Sequence, residues 1–198
     1  STTAWPTPSS TARVITALAD FTPPIARPGK VPAVPTVNPG MLVEGGVCYG
    51  VWPGRCTVGL EIRTVPGMVR DDVLAAIDAF VADVVGGDGR FTLTPRPGSL
   101  GWMPAVELDP GHRVVQVAQE ACQEVLGRTL PIQAYAGGTD AAYFMREGGT
   151  PTIASLGPGW LTVAHAANER VGVEQLGQAR TLYRRLVGRY LAEADQNA

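Results

Sequence analysis

The spacing of apolar residues changes several times along this chain, and each change predicts an element. Between Ser9 and Ala19, Val14, Ile15 and Leu18 fall on one stripe of a helix, with Ser9 or Ser10 placed to cap it. Between Thr22 and Pro39 the pattern stops. Pro23, Pro24, Pro28, Pro32, Pro35 and Pro39 crowd this stretch, which excludes a helix or a central strand and predicts an extended connector. Met41–Glu44 and Val47–Trp52 then read as short strands on either side of Gly45-Gly46, a turn or bulge signal. Arg55–Thr64 alternates, with Cys56, Val58, Leu60 and Ile62 on one side and Arg55, Thr57, Glu61 and Arg63 on the other, the mark of a half-buried strand. Met68–Val85 returns to a helical period through Val73, Leu74, Ile77, Phe80, Val81 and Val84. Asp71 and Asp72 in its first turn suit the helix dipole, and Gly86-Gly87 stop it. Arg90–Thr94 predicts one more strand.

Pro95–Pro104 breaks the chain, and a different rhythm follows. Asp109-Pro110 has the N-cap and N1 chemistry of a helix running through Val114, Val117, Ala118, Ala121 and Val125 to Gly127. Ile132–Ala136 predicts a strand, Asp140–Arg146 a short helix and Thr152–Leu156 a second strand. Val173–Glu193 predicts a closing helix with Leu176, Ala179, Tyr183, Leu186, Val187 and Tyr190 inward. The fold class that follows is α/β in two parts. Residues 1–104 predict a small α+β domain, an antiparallel sheet with helices on one face. Residues 105–198 predict an incomplete α/β layer. Two strands seldom make a stable sheet by themselves, so this layer is expected to complete a larger one.

Composition narrows the partners. Among 198 residues the formal net charge is −2 and only 17% are charged, which argues against a nucleic-acid surface. Lys30 is the one lysine, and the arginines at 180, 184, 185 and 189 read as a solvated helix face. Cys48, Cys56 and Cys122 form neither a disulfide framework nor a zinc knuckle, so a reducing, cytoplasmic setting is expected. No stretch is long and apolar enough to span a bilayer, and Ser1–Ser10 lacks the regions of a signal peptide. The chain opens without Met, from which truncation or processing is expected.

Candidate chemistry gathers in two places. His112 sits beside Arg113 in the first turn of a predicted helix, where a solvated histidine is common. His165 lies in a loop after the Thr152–Leu156 segment, preceded by Gly157-Pro158-Gly159 and followed by Asn168 and Glu169. Loops at strand C-terminal ends are where α/β proteins collect ligand groups. The second place is Gly137-Gly138-Thr139-Asp140. Two glycines there let a ligand approach the backbone, and Thr139 stands where it would cap the next helix. It lacks the glycine spacing and lysine of a phosphate-binding loop.

In order along the chain, Gly45-Gly46, Val51–Cys56, Glu61–Arg63, Pro66-Gly67, Gly137–Ala141, Gly157–Gly159 and Ala164-His165 with Asn168-Glu169 resemble the dinuclear-zinc amidohydrolases. That family includes acetylornithine deacetylase, succinyl-diaminopimelate desuccinylase, aminoacylase and the glutamate carboxypeptidases. The resemblance covers the lid domain, which is also the dimer interface, and the closing part of the catalytic domain. It implies His165 as the last protein ligand to one of two zinc ions. It implies Gly138 and Thr139 binding the substrate's carboxylate or acyl group, Asn168 contributing to the substrate site, and Arg63 clamping a carboxylate when the lid closes. An ion pair between Arg63 and Glu61 is the structural alternative. It also implies zinc-activated water attacking an amide carbonyl while a glutamate takes the proton.

Other parts of the family pattern are absent. The sequence holds no H-x-D motif and no Glu-Glu pair, and Gly50 stands where asparagine is common. The lid histidine that helps stabilise the oxyanion in the family is also missing. The expectation is therefore the C-terminal portion of a hydrolase of N-acyl amino acids or short peptides. Its N-terminal catalytic half would be supplied from the same precursor or by a separate chain, and the lid would form a homodimer. The isolated chain is expected to hydrolyse nothing by way of zinc. The alternatives are a non-catalytic dimerisation remnant and a binding protein for acylated amino acids.

Overall fold

The computed structural model describes residues 8–51, 53–86 and 102–194. The chain divides into two compact units, Ser1–Ala105 and Val106–Ala198. The architecture is mixed helix and strand, with a small antiparallel sheet in the first unit and helices in both. The strand expected at Arg90–Thr94 lies outside the described residues.

The first unit contains helix α1 (Pro8–Leu18), strands β1 (Thr36–Gly45) and β2 (Cys56–Arg63), and helix α2 (Arg70–Val85). The strands pair antiparallel from Thr36 opposite Arg63 to Gly45 opposite Cys56, with a register shift between Pro39 and Leu42. That shift accounts for one departure from expectation. The Pro-rich stretch does not stay a connector to its end, because Thr36–Pro39 joins the ladder. Pro39 donates no ladder hydrogen bond, but an edge strand with an irregularity beside it accommodates that loss. β1 is consequently one continuous strand, and Val47–Val51 is a run of bends and a turn in which the Val51 amide donates to the Cys48 carbonyl (3.4 Å).

α1 packs on α2 and on both strands. Val14, Leu18, Phe21, Val65, Met68, Val73 and Ile77 are buried together, and Val37, Leu60, Ile62, Phe80, Val81 and Val84 pack around them. Phe21 and Phe80 meet edge to face at 5.2 Å. The Arg13 guanidinium donates to the Val84 carbonyl (2.7 Å), placing a cation at the C-terminal end of α2. Ser9 and Ser10 lie inside α1 rather than capping it, since Pro8 already takes a helical position.

The second unit holds α3 (Arg113–Leu126), α4 (Ala141–Arg146), a single 3₁₀ turn at Leu161–Val163 and α5 (Val173–Ala194). α3 and α5 pack through Ala121, Cys122 and Leu182, with Val125, Leu126, Leu130, Leu156 and Leu186 around them. Leu182 is buried, whereas Leu176, Tyr183, Val187 and Tyr190, expected inward, are exposed. The apolar residues of α5 spread over more than one stripe, and α3 covers the stripe that carries Leu182 and Leu186.

The two segments expected as strands here, Ile132–Ala136 and Thr152–Leu156, run without a ladder. A strand exists only by pairing, and the described residues of this unit offer neither segment a partner. Side chains fasten their neighbourhoods instead: the Tyr183 hydroxyl donates to the Leu156 carbonyl (2.6 Å), and Gln119 Nε2 donates to the Leu130 carbonyl (3.2 Å).

Asp109-Pro110 forms a turn before α3 rather than its cap. Asp109 Oδ1 accepts from the Gly111 amide (2.8 Å), and its carbonyl accepts from the His112 amide (2.9 Å). The cap is His112, half-buried rather than solvated, whose Nδ1 accepts from the Val114 amide (3.2 Å). Arg185 and Arg189, expected on a solvated face, bridge α5 to Glu124 and Glu120 of α3.

Candidate functional site

Each unit presents its candidate residues separately. In the first, Arg63 ends β2, and its guanidinium lies 2.9 Å from Glu61 Oε1. Asn38, opposite Glu61 across the sheet, donates to Glu61 Oε2 (3.2 Å). The three polar groups form an exposed cross-strand set on the hairpin. In this structure the Arg63 fork is engaged by its own strand neighbour, and its exposure leaves it accessible to a second carboxylate.

In the second unit, the turn into α4 carries Gly137, Gly138 and Thr139. A Cβ on Gly137 would lie 2.4 Å from the Tyr135 ring, so only glycine lets Tyr135 fold back over the turn. Gly138 is exposed, and nothing stands within 4 Å of where its Cβ would be, so its backbone is open to approach. Thr139 is half-buried and caps by its carbonyl, which accepts from the Ala142 amide (3.3 Å). The expected hydroxyl cap is not made, because the helix begins one residue later. Asp140 occupies the N-cap in a right-handed helical conformation without a side-chain cap. The Thr139 hydroxyl is thereby left for other partners.

The loop from Gly157 to Gly172 is the most unusual backbone in this unit. After the 3₁₀ turn at Leu161–Val163, His165 (φ 60°) and Asn168 (φ 64°) both take the left-handed conformation. They are the two non-glycine residues with positive φ among the described residues. Left-handed backbone is disfavoured for side chains with a Cβ, histidine and asparagine being among the more tolerant, and such residues concentrate at functional loops. Local hydrogen bonds close the loop. The Ala166 amide donates to Val163 O (3.3 Å), the Glu169 amide to Ala166 O (3.2 Å), and the His165 amide to Glu169 Oε2 (3.2 Å). His165 and Asn168 are exposed. The H-x-x-N-E spacing names these residues, but the role of Glu169 as acceptor for His165 is not legible without the loop's turn.

Whether these groups could hold a metal ion is a question of donor count. A catalytic zinc generally takes three protein ligands. Among the described residues there is no group of three or more His, Cys, Asp or Glu side chains that could hold a metal. Glu169 is turned to the His165 backbone, and Cys122 is buried between helices, with burial pushing its thiol pKa up. The described residues therefore do not fit a complete metal site; His165 offers one donor. The open groove between α3 and α5, lined by Glu124, Gln178, Thr181 and Arg185 among others, includes none of the candidate residues.

Comparison with known proteins is consistent across sequence and structure. Residues 23–189 match the family model described as Peptidase family M20/M25/M40. The N-formyl-4-amino-5-aminomethyl-2-methylpyrimidine deformylase of Bacillus subtilis is 29% identical over 161 residues, spanning 75% of this chain and 37% of that protein. An Aspergillus fumigatus protein named "Probable carboxypeptidase" is 30% identical over 155 residues, 77% of this chain and 31% of its own length. The acetylornithine deacetylase of Klebsiella pneumoniae is 27% identical over 154 residues, 77% of this chain and 37% of its own length. The chain thus spans about a third of the length of these curated relatives. The fold is similar to that of an M20 family metallo-carboxypeptidase from Sulfolobus solfataricus, with a TM-score of 0.58 at 18% identity over 91% of this chain and 44% of that one.

Proposed function

Because this chain belongs to Peptidase family M20/M25/M40, we propose that it is the C-terminal portion of a metal-dependent hydrolase that cleaves the amide bond of an N-acyl amino acid or short peptide. The observation that carries this reading is the family match over residues 23–189, which takes in both the lid-like first unit and the His165 loop. The names of these relatives, deformylase, probable carboxypeptidase and acetylornithine deacetylase, each denote hydrolysis of a C–N bond, which supports the reaction class.

In this reading His165 is one ligand to zinc, exposed on a loop whose backbone is held by its own hydrogen bonds. The remaining donors and the general base would come from outside these residues. Amide hydrolysis also needs the substrate fixed relative to the attacking water. Gly138, with its open backbone, and Thr139, with its hydroxyl not used as a cap, would hold the carboxylate or acyl end. Asn168 would contribute a polar contact beside His165. Arg63 would exchange Glu61 for the substrate carboxylate, a swap between like partners that suits a lid which closes on binding. The first unit would dimerise: β1 is an edge strand, and Met41, Leu42 and Val43 are exposed on it. A cytoplasmic setting accords with three cysteines that are all free. No helix among the described residues is long and apolar enough to cross a membrane.

A second reading, a non-catalytic dimerisation or ligand-binding module, draws on the Arg63–Glu61 ion pair, which already engages the side chain a substrate would need. The test is hydrolysis of a panel of N-acyl amino acids and dipeptides by the longer protein proposed here, wild type against His165→Ala. The hydrolase reading expects turnover that falls in the variant by more than the roughly 10–100-fold typical of losing an outer partner of a metal site. Binding of the same compounds without turnover would favour the module.

A further inference from the structure

The geometry points to Glu169 as the positioning residue of the His165 loop: its carboxylate, by accepting from the His165 amide, holds His165 and Asn168 together in the left-handed conformation that presents them. Between the 3₁₀ turn and α5 the loop must reverse direction within a few residues, and it does so by placing His165 at φ 60° and Asn168 at φ 64°. Neither is glycine, so each conformation is favoured by a constraint beyond the residue's own backbone preference.

Two constraints are backbone bonds, from Ala166 to Val163 O and from Glu169 to Ala166 O. Neither involves the His165 amide. That donor is satisfied by Glu169 Oε2 at 3.2 Å, the side chain that reaches across the turn to it. The bond is charge-assisted, which makes it stronger than a neutral amide pair. It also fixes the order of the two left-handed residues, since the carboxylate on residue 169 can meet the amide of residue 165 only while the intervening chain stays folded. At the other side of the turn, Arg170 donates to the Asn168 carbonyl (3.4 Å), so the second left-handed residue is held from its own flank. Gln175 closes the loop where it enters α5 by accepting from the Gly172 amide (3.1 Å).

This inference rests on the reading above for its purpose, because a loop that presents His165 and Asn168 matters only if they meet metal and substrate. The loop geometry itself is independent of that reading and is what the experiment addresses. Solution NMR of the 198-residue chain compares wild type, Glu169→Gln and Glu169→Ala. A positive φ brings each residue's own amide proton close to its Hα, so strong intraresidue amide–Hα cross-peaks report the left-handed state at positions 165 and 168. The Gln variant keeps an acceptor and retains both cross-peaks. The Ala variant loses both, and exchange of the His165 amide with solvent rises by roughly tenfold, in line with losing a hydrogen bond to a charged acceptor. The thermal midpoint and the resonances of α3 stay as in wild type, which separates positioning from general support of the fold. Retention of both cross-peaks in Glu169→Ala would overturn the proposal, as would a Gln variant indistinguishable from Ala. Catalysis in the longer protein proposed above is a separate readout: loss of turnover in His165→Ala with no effect of Glu169→Ala on the loop would remove the positioning role and leave the hydrolase reading in place.

Discussion

At the scale of single residues, two side chains carry consequences that their type does not announce. Cys122 is 2% exposed between α3 and α5, and burial pushes its thiol pKa up. The folded pKa is raised above the unfolded one, so below the ordinary thiol range both states hold the proton and stability is unaffected. As pH rises above that range the unfolded chain ionises first, and stability falls. A thiol reagent at neutral pH should modify exposed Cys48 and Cys56 and reach Cys122 only after unfolding, and intact-mass analysis with and without denaturant counts the adducts. His112 is the other case. Its Nδ1 caps α3, and His112→Ala should cost about 1 kcal/mol in denaturant unfolding while His112→Asn, a strong cap, recovers most of it. Asp109-Pro110 carries the more familiar cap signature, but Asp109 spends its side chain on Gly111 and so turns the chain one step early. The sequence holds both candidates, and only the turn decides between them.

At the scale of elements, helices were legible, and so was the strand expected at Arg55–Thr64, which forms β2 over Cys56–Arg63, but not every expected strand forms. α2 and α5 begin and end within about two residues of where their apolar period begins and ends, because a helix satisfies its own backbone. Gly86 (φ 63°) and Gly127 (φ 69°) end α2 and α3 in the left-handed form that glycine permits. A strand depends on a partner elsewhere, which local pattern does not contain. Cys56–Arg63 found one in β1, at the expense of a register shift beside Pro39, whereas Ile132–Ala136 and Thr152–Leu156 found none among the described residues. The inward face of α5 matches expectation at Leu186 but not at Leu176, Tyr183, Val187 or Tyr190, for a related reason: its apolar residues offer several stripes, and α3 selects the one with Leu182 and Leu186. Leu182→Ala should therefore destabilise the second unit by about 2–5 kcal/mol, while Leu176→Ala, at an exposed site, should change stability by less than about 0.5 kcal/mol. Calorimetric or denaturant unfolding of the two variants checks that contrast. The candidate site divides in the same way. His165, Asn168, Gly138 and Thr139 are named by motif, but their presentation, left-handed loop and open turn alike, is a property of backbone geometry that motif spacing does not encode.

At the scale of the whole molecule, the family match and the donor count describe one situation from two sides. The chain spans about a third of its curated relatives and brings His165 to a surface loop without gathering the other donors around it among the described residues. If the first unit dimerises through β1, Val43→Glu should shift the molar mass measured by light scattering from dimer toward monomer with no loss of helix signal, since Val43 is 55% exposed and its substitution leaves the core intact. The proposal that His165 is one donor of a zinc site completed by residues outside these 198 is open to a measurement of metal content. Zinc should be measured by native mass spectrometry in the 198-residue chain and in the longer protein proposed above, each as wild type and as His165→Ala. On this proposal the longer protein holds zinc, its His165→Ala variant holds less, and the 198-residue chain retains none in either form. Stoichiometric zinc on the 198-residue chain, or a longer protein whose zinc content is indifferent to His165→Ala, would rule it out.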